Sequence, residues 1–248
     1  AEAEREYLAA QKTAATLNSA LCNTLNAETT YQPISSMFIL SQIEDVDHFK
    51  QLALNNNPQL RQVGLKKDLA VEGVRLQRAD FAPQVALMGG ASFYNYQVTP
   101  LMPRWAVGAG VSFKIFDGLN REYKFSAAKS QVRQVEALNV KAQHDILTLI
   151  DKLYNEMTTY NEQLPSIDAA YNFAAEYLRI KEEAFKEGAA PSSDVVDAQL
   201  NLAKIKTERL QAAYYYDLML ARLLEACGES EMLTEYARRP AAMPIRYE

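Results

Sequence analysis

Strict alternation of apolar and polar side chains marks one segment of the chain. Between residues 104 and 116 every second side chain, from Trp105 to Ile115, is apolar, and the intervening positions are mostly glycine, serine or charged. A period of two places these sets on opposite faces of a β-strand. Together with a similar run that starts at Gln84, this pattern predicts a β-hairpin over residues 83–117, with strands of about thirteen residues.

The predicted hairpin fits two settings. A tilted strand of about 9–11 residues crosses a bilayer, and in a membrane barrel apolar side chains face lipid while small or polar ones face an aqueous lumen. An edge hairpin of an ordinary soluble sheet gives the same alternation, so the hairpin alone leaves both open. Trp105, Tyr94 and Tyr96 also fit an aromatic girdle at a membrane interface. The side chains assigned to the membrane-facing strand are Trp105, Val107, Val111, Phe113 and Ile115.

From residue 119 onward the apolar period becomes helical. Ten side chains from Ile146 to Leu178 follow each other at alternating spacings of four and three residues, which is a heptad seam. Such a seam needs a helical partner, and packing explains it better than ligand binding does. Pro165 lies inside it, where the loss of one backbone hydrogen bond is expected to bend the helix locally.

Glycine, proline and serine predict where the helices begin and end. Pro58 suits the first turn of a helix, and Pro83 stops that helix. Gly188 predicts a left-handed C-terminal cap, and Ser192 or Ser193 predicts the N-cap of a returning helix.

The predicted fold is mainly α: a long antiparallel coiled-coil helical hairpin with an inserted β-hairpin. At about 1.5 Å per residue the longest helix measures roughly 100 Å, about as long as two of the shorter helices laid end to end. The predicted segments are a helix over 1–26, a linker with a short helix over 27–57, a helix over 58–82, the β-hairpin over 83–117, the long coiled-coil helix over 118–189, the returning helix over 190–228 and a polar tail over 229–248, expected at the surface or disordered.

Composition excludes several functions. The 248 residues carry a net charge of −5 without a concentrated lysine and arginine tract, which argues against a nucleic-acid partner. No run of 18 apolar residues predicts a transmembrane helix, and the first residues do not resemble a secretory signal. The chain instead begins within a helical pattern, as a trimmed polypeptide or a fragment would.

Candidate chemistry is sparse. His48 and His144 are nearly a hundred residues apart without metal-ligand spacing, and both are expected at the surface. Cys22 and Cys227 lack a CxxC pattern, and a disulfide between them is disfavoured. No nucleophile, base and orienting group can be assembled, so the sequence predicts no enzyme, no cofactor and no metal site.

Several segments, in this order and spacing, resemble the TolC-like outer-membrane efflux factor family. They include Asn57-Pro58-Gln59-Leu60 opening a helix, Ala79-Asp80-Phe81-Ala82-Pro83-Gln84 closing it, and Gly110-Val111-Ser112-Phe113-Lys114-Ile115-Phe116-Asp117-Gly118 between strand and helix. Phe185-Lys186-Glu187-Gly188 and Asp194-Val195-Val196-Asp197-Ala198-Gln199-Leu200-Asn201-Leu202 flank the later turn. The resemblance covers about residues 45–228.

The resemblance implies a homotrimer whose subunits build a twelve-stranded outer-membrane β-barrel above a periplasmic α-barrel. This chain is similar to the second structural repeat, the C-terminal half of a subunit, with 1–26 as the returning helix of the first repeat. The implied function is a passive conduit from periplasm to exterior in tripartite efflux or type I secretion. Its implied partners are outer-membrane lipid, a periplasmic adaptor protein and, indirectly, an inner-membrane transporter, in the outer membrane of a Gram-negative cell.

The resemblance also assigns residues at the periplasmic tip. Asp194 and Asp197 correspond to a pore-lining acidic ring, although acidic residues in a first helical turn are also favoured by the helix dipole alone. Phe185, Gly188 and Ala190 correspond to the tip turn and adaptor-docking region. Phe185 and Ala190 depart from the tyrosine and arginine of the best-known member, so a latch made by those groups is not expected. Glu187 also replaces an apolar residue of that motif.

A soluble coiled-coil scaffold or binding module with a β-hairpin insertion is the alternative. The discriminating feature is the apolar strand face, which a scaffold would cover with a helix. Without a sister repeat to close a barrel, the strands are expected to self-associate or fold back.

Overall fold

The computed structural model describes residues 2–27, 31, 35–91 and 105–245. Within those ranges no helix is apolar over a stretch long enough to cross a membrane. The elements in chain order are α1 (Glu2–Thr24), β1 (Met37–Leu40), α2 (Val46–Asn56), α3 (Pro58–Ala79), β2 (Gln84–Ala91), β3 (Trp105–Ser112), α4 (Asn120–Lys186), α5 (Ser192–Cys227), a 3₁₀ turn (Ser230–Met232), α6 (Leu233–Arg238) and β4 (Ala242–Ile245).

The antiparallel α4–α5 hairpin dominates the fold, as the heptad seam predicts. The 67 residues of α4 span about 100 Å, and Pro165 lies within the continuous helix. The seam side chains are buried or half-buried from Ile146 to Leu178. Towards its C-terminal end α5 supplies buried partners such as Tyr216 and Leu220. The predicted packing role of the seam is therefore confirmed.

A small two-stranded sheet closes one side of the core. Strands β1 and β4 pair antiparallel, from Met37 opposite Ile245 to Leu40 opposite Ala242. Ile39 and Leu40 are fully buried, and they belong to the same apolar cluster as α2, α4 and α5. The apolar patch in the predicted linker is thus a buried strand.

The prediction of a surface or disordered tail over 229–248 is wrong for the described part. Residues up to 245 form α6 and β4, and Tyr236 and Ile245 are each only 3% exposed. The tyrosine hydroxyl donates to Glu44, whose carboxylate also pairs with Arg239 at 2.6 Å. The tail is polar on average, but its few apolar side chains find partners about 200 residues earlier in the chain.

Backbone conformation sets the helix ends. The Asn57 side chain caps α3 by accepting from the backbone N–H of Leu60 at 2.9 Å, and Pro58 occupies the first turn as predicted. Gly228 ends α5 in the left-handed region, at φ +77°. The prediction of Ser192 or Ser193 as the N-cap of α5 is wrong, because Pro191 holds that position and Ser192 is the first helical residue.

Strands β2 and β3 pair over eight residues each, from Gln84 opposite Ser112 to Ala91 opposite Trp105. The described part of β3 ends at Ser112, before the predicted end of the run at Phe116. The other end of each strand borders residues outside the described ranges, so the full strand lengths stay a prediction. Phe113 and Ile115, assigned to the membrane-facing strand, follow the end of β3 because its last ladder pair is at Ser112. They are exposed at 54% and 85%. Tyr94 and Tyr96 lie outside the described residues.

The histidines and cysteines lie in different surroundings. His48 and His144 are exposed, as predicted, and the described residues contain no cluster of potential metal ligands. Cys22 and Cys227 form no disulfide with each other. The buried Cys227 thiol donates to the Phe49 carbonyl at 3.4 Å, and burial raises its pKa to about 12.

Candidate functional site

The turn between α4 and α5 forms a narrow tip. Gly188 adopts φ +74°, as predicted, and its N–H donates to the Phe185 carbonyl at 3.0 Å. The N–H of Ala189 donates to the Ala184 carbonyl at 2.8 Å. These two bonds form a Schellman motif, which ends α4 and reverses the chain within a few residues. A tight reversal keeps α4 and α5 in contact up to the tip.

The two candidate pore aspartates differ in their surroundings. Asp194 accepts a hydrogen bond and ion pair from Lys181 of α4 at 2.7 Å. This hydrogen bond raises the pKa of Lys181. Asp197 is exposed one turn further along α5, and it forms no ion pair with any residue in the described ranges. Asp194 is therefore partly neutralised within the chain, whereas the charge of Asp197 faces solvent.

The other predicted tip residues are accessible. Phe185 is 49% exposed, and Ala190 is half-buried between the two helices. Neither makes a polar side-chain contact, as their chemistry requires. Phe185, Gly188 and Ala190 therefore add a small apolar surface to a turn that also exposes Lys186 and Glu187.

Sequence reasoning missed an apolar stripe on α4 near the tip. Phe173, Tyr177 and Ile180 recur at spacings of four and three, and they are 71%, 40% and 50% exposed. The rings of Phe173 and Tyr177 stack with centroids 6.2 Å apart. The spacing of these three residues is the sequence signal that could have predicted the stripe. The stripe lies about a third of a turn around α4 from the heptad seam.

The β2–β3 hairpin separates two kinds of side chain. The register places Val85 opposite Val111 and Leu87 opposite Ala109 on one face, together with Val107 and Trp105. The other face carries Gln84, Ala86, Met88, Gly90, Ala106, Gly108, Gly110 and Ser112. On the apolar face Val85, Leu87, Trp105, Val107 and Val111 are 70–81% exposed. No described element covers them.

The family model for outer membrane efflux proteins matches residues 50–229, which is most of the chain. The chain belongs to the outer membrane efflux protein family.

Relatives of this family share the fold of the chain. The outer membrane protein TolC of Vibrio cholerae is 24% identical over 173 residues, which cover 68% of this chain and 39% of TolC. The structure of the open state of the Neisseria gonorrhoeae MtrE outer membrane channel matches 92% of the chain and 53% of its own length, with 17% identity and a TM-score of 0.75. VceC from Vibrio cholerae matches 91% of the chain and 55% of its own length, with 18% identity and a TM-score of 0.69.

The structural matches show that the mainly helical fold with its small antiparallel sheets is that of TolC-like channels, and the efflux protein family consists of transport components rather than enzymes. The chain spans about two fifths of the length of TolC and about half that of the two structures.

Proposed function

We propose that this chain forms part of a trimeric outer-membrane channel used for efflux or secretion. In this proposal β2 and β3 contribute to a twelve-stranded membrane barrel, and the α4–α5 hairpin lines a periplasmic tunnel. The observation that carries the proposal is the uncovered apolar face of the hairpin. Membership of the outer membrane efflux protein family supports it independently.

The hairpin has the chemistry that a barrel wall requires. Leu87 and Val107 on the apolar face are 81% and 76% exposed, and contact with hydrocarbon would remove this surface from water at a gain of about 25 cal/mol per Å². Besides Met88, the other face carries only glycine, alanine and polar side chains in the described strands, and these would leave room for a water-filled lumen. The free strand edges would pair with neighbouring strands, since unpaired backbone groups are not tolerated in lipid.

The proposed activity is passive. The chain would provide a path from periplasm to exterior, and energy and substrate selection would come from an inner-membrane transporter. A periplasmic adaptor would join the two by packing helices against the tunnel tip around Phe185, Gly188 and Ala190. The accessibility of this turn supports a docking role. The proposed location is the outer membrane of a Gram-negative cell, with the helices in the periplasm.

The membrane role of the hairpin can be tested with neutral phosphatidylcholine vesicles. We expect the chain to co-float with these vesicles, and the double variant Leu87→Arg/Val107→Arg to lose binding. Arg on a lipid-facing strand costs about 2–4 kcal/mol at the bilayer midplane, so the combined loss should exceed about a hundredfold.

The matched control places the same charges on the opposite face. Ala86→Arg/Ala106→Arg lies on the same strands, and it should retain most of the binding. If both double variants bind vesicles as well as the parent chain, the apolar face does not contact lipid. The soluble scaffold with a β-hairpin insertion would then be the better description.

We further propose that Asp194 and Asp197 form an acidic ring at the tunnel tip, where crowded carboxylates would attract cations. Lys181 already neutralises part of the Asp194 charge. In single-channel recordings of the assembled trimer, Asp197→Asn should therefore weaken block by divalent cations more than Asp194→Asn does, and the double variant should abolish it. Unchanged block in the double variant would rule out the ring.

A further inference from the structure

Two grooves run along the α3–α4 pair. One is lined by residues that include Lys66, Leu69, Lys124 and Gln131. The other, of about 360 Å³, is lined by Val71, Val74, Arg75, Lys129, Val132 and Arg133. The two grooves share no lining residue. On α4 the lining residues of one groove point about a third of a turn away from those of the other, with the contact to α3 between them. They therefore lie on opposite sides of the helix pair.

The cleft at the base of the hairpin shows which groove continues which face of the sheet. Lys124 lines that cleft together with Gln84 and Ser112. Both of these residues lie on the hairpin face opposite the apolar one, called here the polar face. The groove that contains Lys124 therefore continues the polar face. The groove around Arg75 and Lys129 lies on the side of the apolar face.

This second groove, called here the valine groove, has an apolar floor and a cationic rim. Val71, Val74 and Val132 supply the floor. Valine is apolar and stiff, so the floor offers a preformed hydrocarbon surface. The rim consists of Arg75, Lys129 and Arg133.

Two of the three rim cations are available to an anion. Arg75 is paired with Glu72 on its own helix. The Lys129 ammonium lies 4.4 Å from the centroid of the Phe125 ring, and Arg133 donates to the hydroxyl of Ser130 at 2.9 Å. Neither has a carboxylate within ion-pair distance among the described residues. Their charge is therefore not cancelled within the groove.

The groove lies close to the base of the hairpin. Lys124 lines the cleft that contains Gln84 and Ser112 at the base of the hairpin, and Lys129 is five residues, about 8 Å, further along α4. A headgroup layer is about 5–8 Å deep, electrostatic attraction acts over about 8 Å at physiological ionic strength, and lysine and arginine side chains extend towards an interface. These distances together bring the rim within reach of lipid headgroups.

We propose that the valine groove binds an anionic phospholipid of the leaflet at the base of the hairpin. The headgroup phosphate contacts Lys129 and Arg133, with Arg75 beside them, and hydrocarbon lies over the three valines. This inference rests on the proposed membrane role of the hairpin. Charge complementarity and continuity with the apolar sheet face identify the occupant as lipid.

The test compares binding of the full chain to vesicles of phosphatidylcholine alone and to vesicles that also contain phosphatidylglycerol. We expect tighter binding to the anionic vesicles, decreasing with salt. Each basic side chain near an anionic surface contributes about fivefold in affinity. Lys129→Gln/Arg133→Gln should therefore lower binding to anionic vesicles by about tenfold or more, with binding to neutral vesicles unchanged.

The control is Lys66→Gln/Lys124→Gln, which makes the same change in net charge on the opposite groove. It should preserve most of the preference for anionic vesicles. If both double variants lose the same affinity for anionic vesicles, only the overall charge matters, and the proposal of lipid binding in the valine groove is wrong. If the parent chain binds both vesicle types equally well, the proposal for the valine groove is wrong, whereas the proposal for the hairpin stands. Binding to neither would overturn both.

Discussion

Replacing Gly228 by alanine is expected to lower the free energy of unfolding by about 3 kcal/mol. Gly228 ends α5 at φ +77°, where a Cβ costs about 1–2 kcal/mol. A Cβ built there would also lie 2.5 Å from the backbone oxygen of Asn56. This oxygen belongs to the backbone and cannot rotate away, so the end of α5 must move from the α2–α3 junction. Urea unfolding of the two proteins, followed by helical circular dichroism, measures the loss.

Gly188 provides the matched control. It ends α4 at φ +74°, but no atom of the described residues, its two chain neighbours aside, lies within 4 Å of the position that its Cβ would take. Gly188→Ala should therefore cost only the conformational part, about 1–2 kcal/mol. If Gly228→Ala is no more destabilising than Gly188→Ala, the close approach to Asn56 does not contribute to stability.

Replacing Asp217 by asparagine is expected to stabilise the protein at pH 8 and to have little effect at pH 4. One carboxylate oxygen of Asp217 accepts the backbone N–H of Phe38 at 3.2 Å. The other is buried without a hydrogen-bond partner among the described residues. Burial raises the pKa of Asp217 to about 7. Asparagine keeps an acceptor for Phe38 but carries no charge.

The direction of the pH effect follows from the raised pKa. The folded protein holds the proton more tightly than the unfolded chain, so the contribution of Asp217 to stability is full below about pH 4 and is lost as the pH rises through about 7. With about 1.4 kcal/mol per pKa unit, the loss is at most about 4 kcal/mol. The asparagine variant should lack this loss.

Glu44 also makes stability depend on pH, so the test uses the difference in stability between Asp217→Asn and the parent chain at each pH. Burial works to raise the pKa of Glu44, but hydrogen bonds with its own backbone, Arg239 and Tyr236 lower it overall. Its contribution is therefore lost towards low pH in both proteins. Thermal unfolding from pH 4 to 8 should show a gap that widens with pH for Asp217→Asn, compared with exposed Asp68→Asn as control. Parallel pH profiles for the parent chain and Asp217→Asn would contradict a raised pKa.

The sequence determined the long elements because their signals are local and repeated. The alternating spacings from Ile146 to Leu178 predict α4 and its packing against α5, and Gly188 predicts the turn between them. Alternation after Trp105 predicts which strand residues share a face. These patterns repeat over many residues, so one exception such as Pro165 does not hide them.

Only the tertiary structure decided the features that depend on residues far apart in the chain. Strand β4 forms because Ile245 meets Met37, and Asp194 is neutralised by Lys181 across the tip. Val107 is 76% exposed, with no helix of the described ranges covering it, a placement that alternation alone left open. The valine groove likewise exists only where α3 and α4 meet. Long-range packing brings these groups together, because a local sequence pattern does not specify which distant residue a side chain will contact.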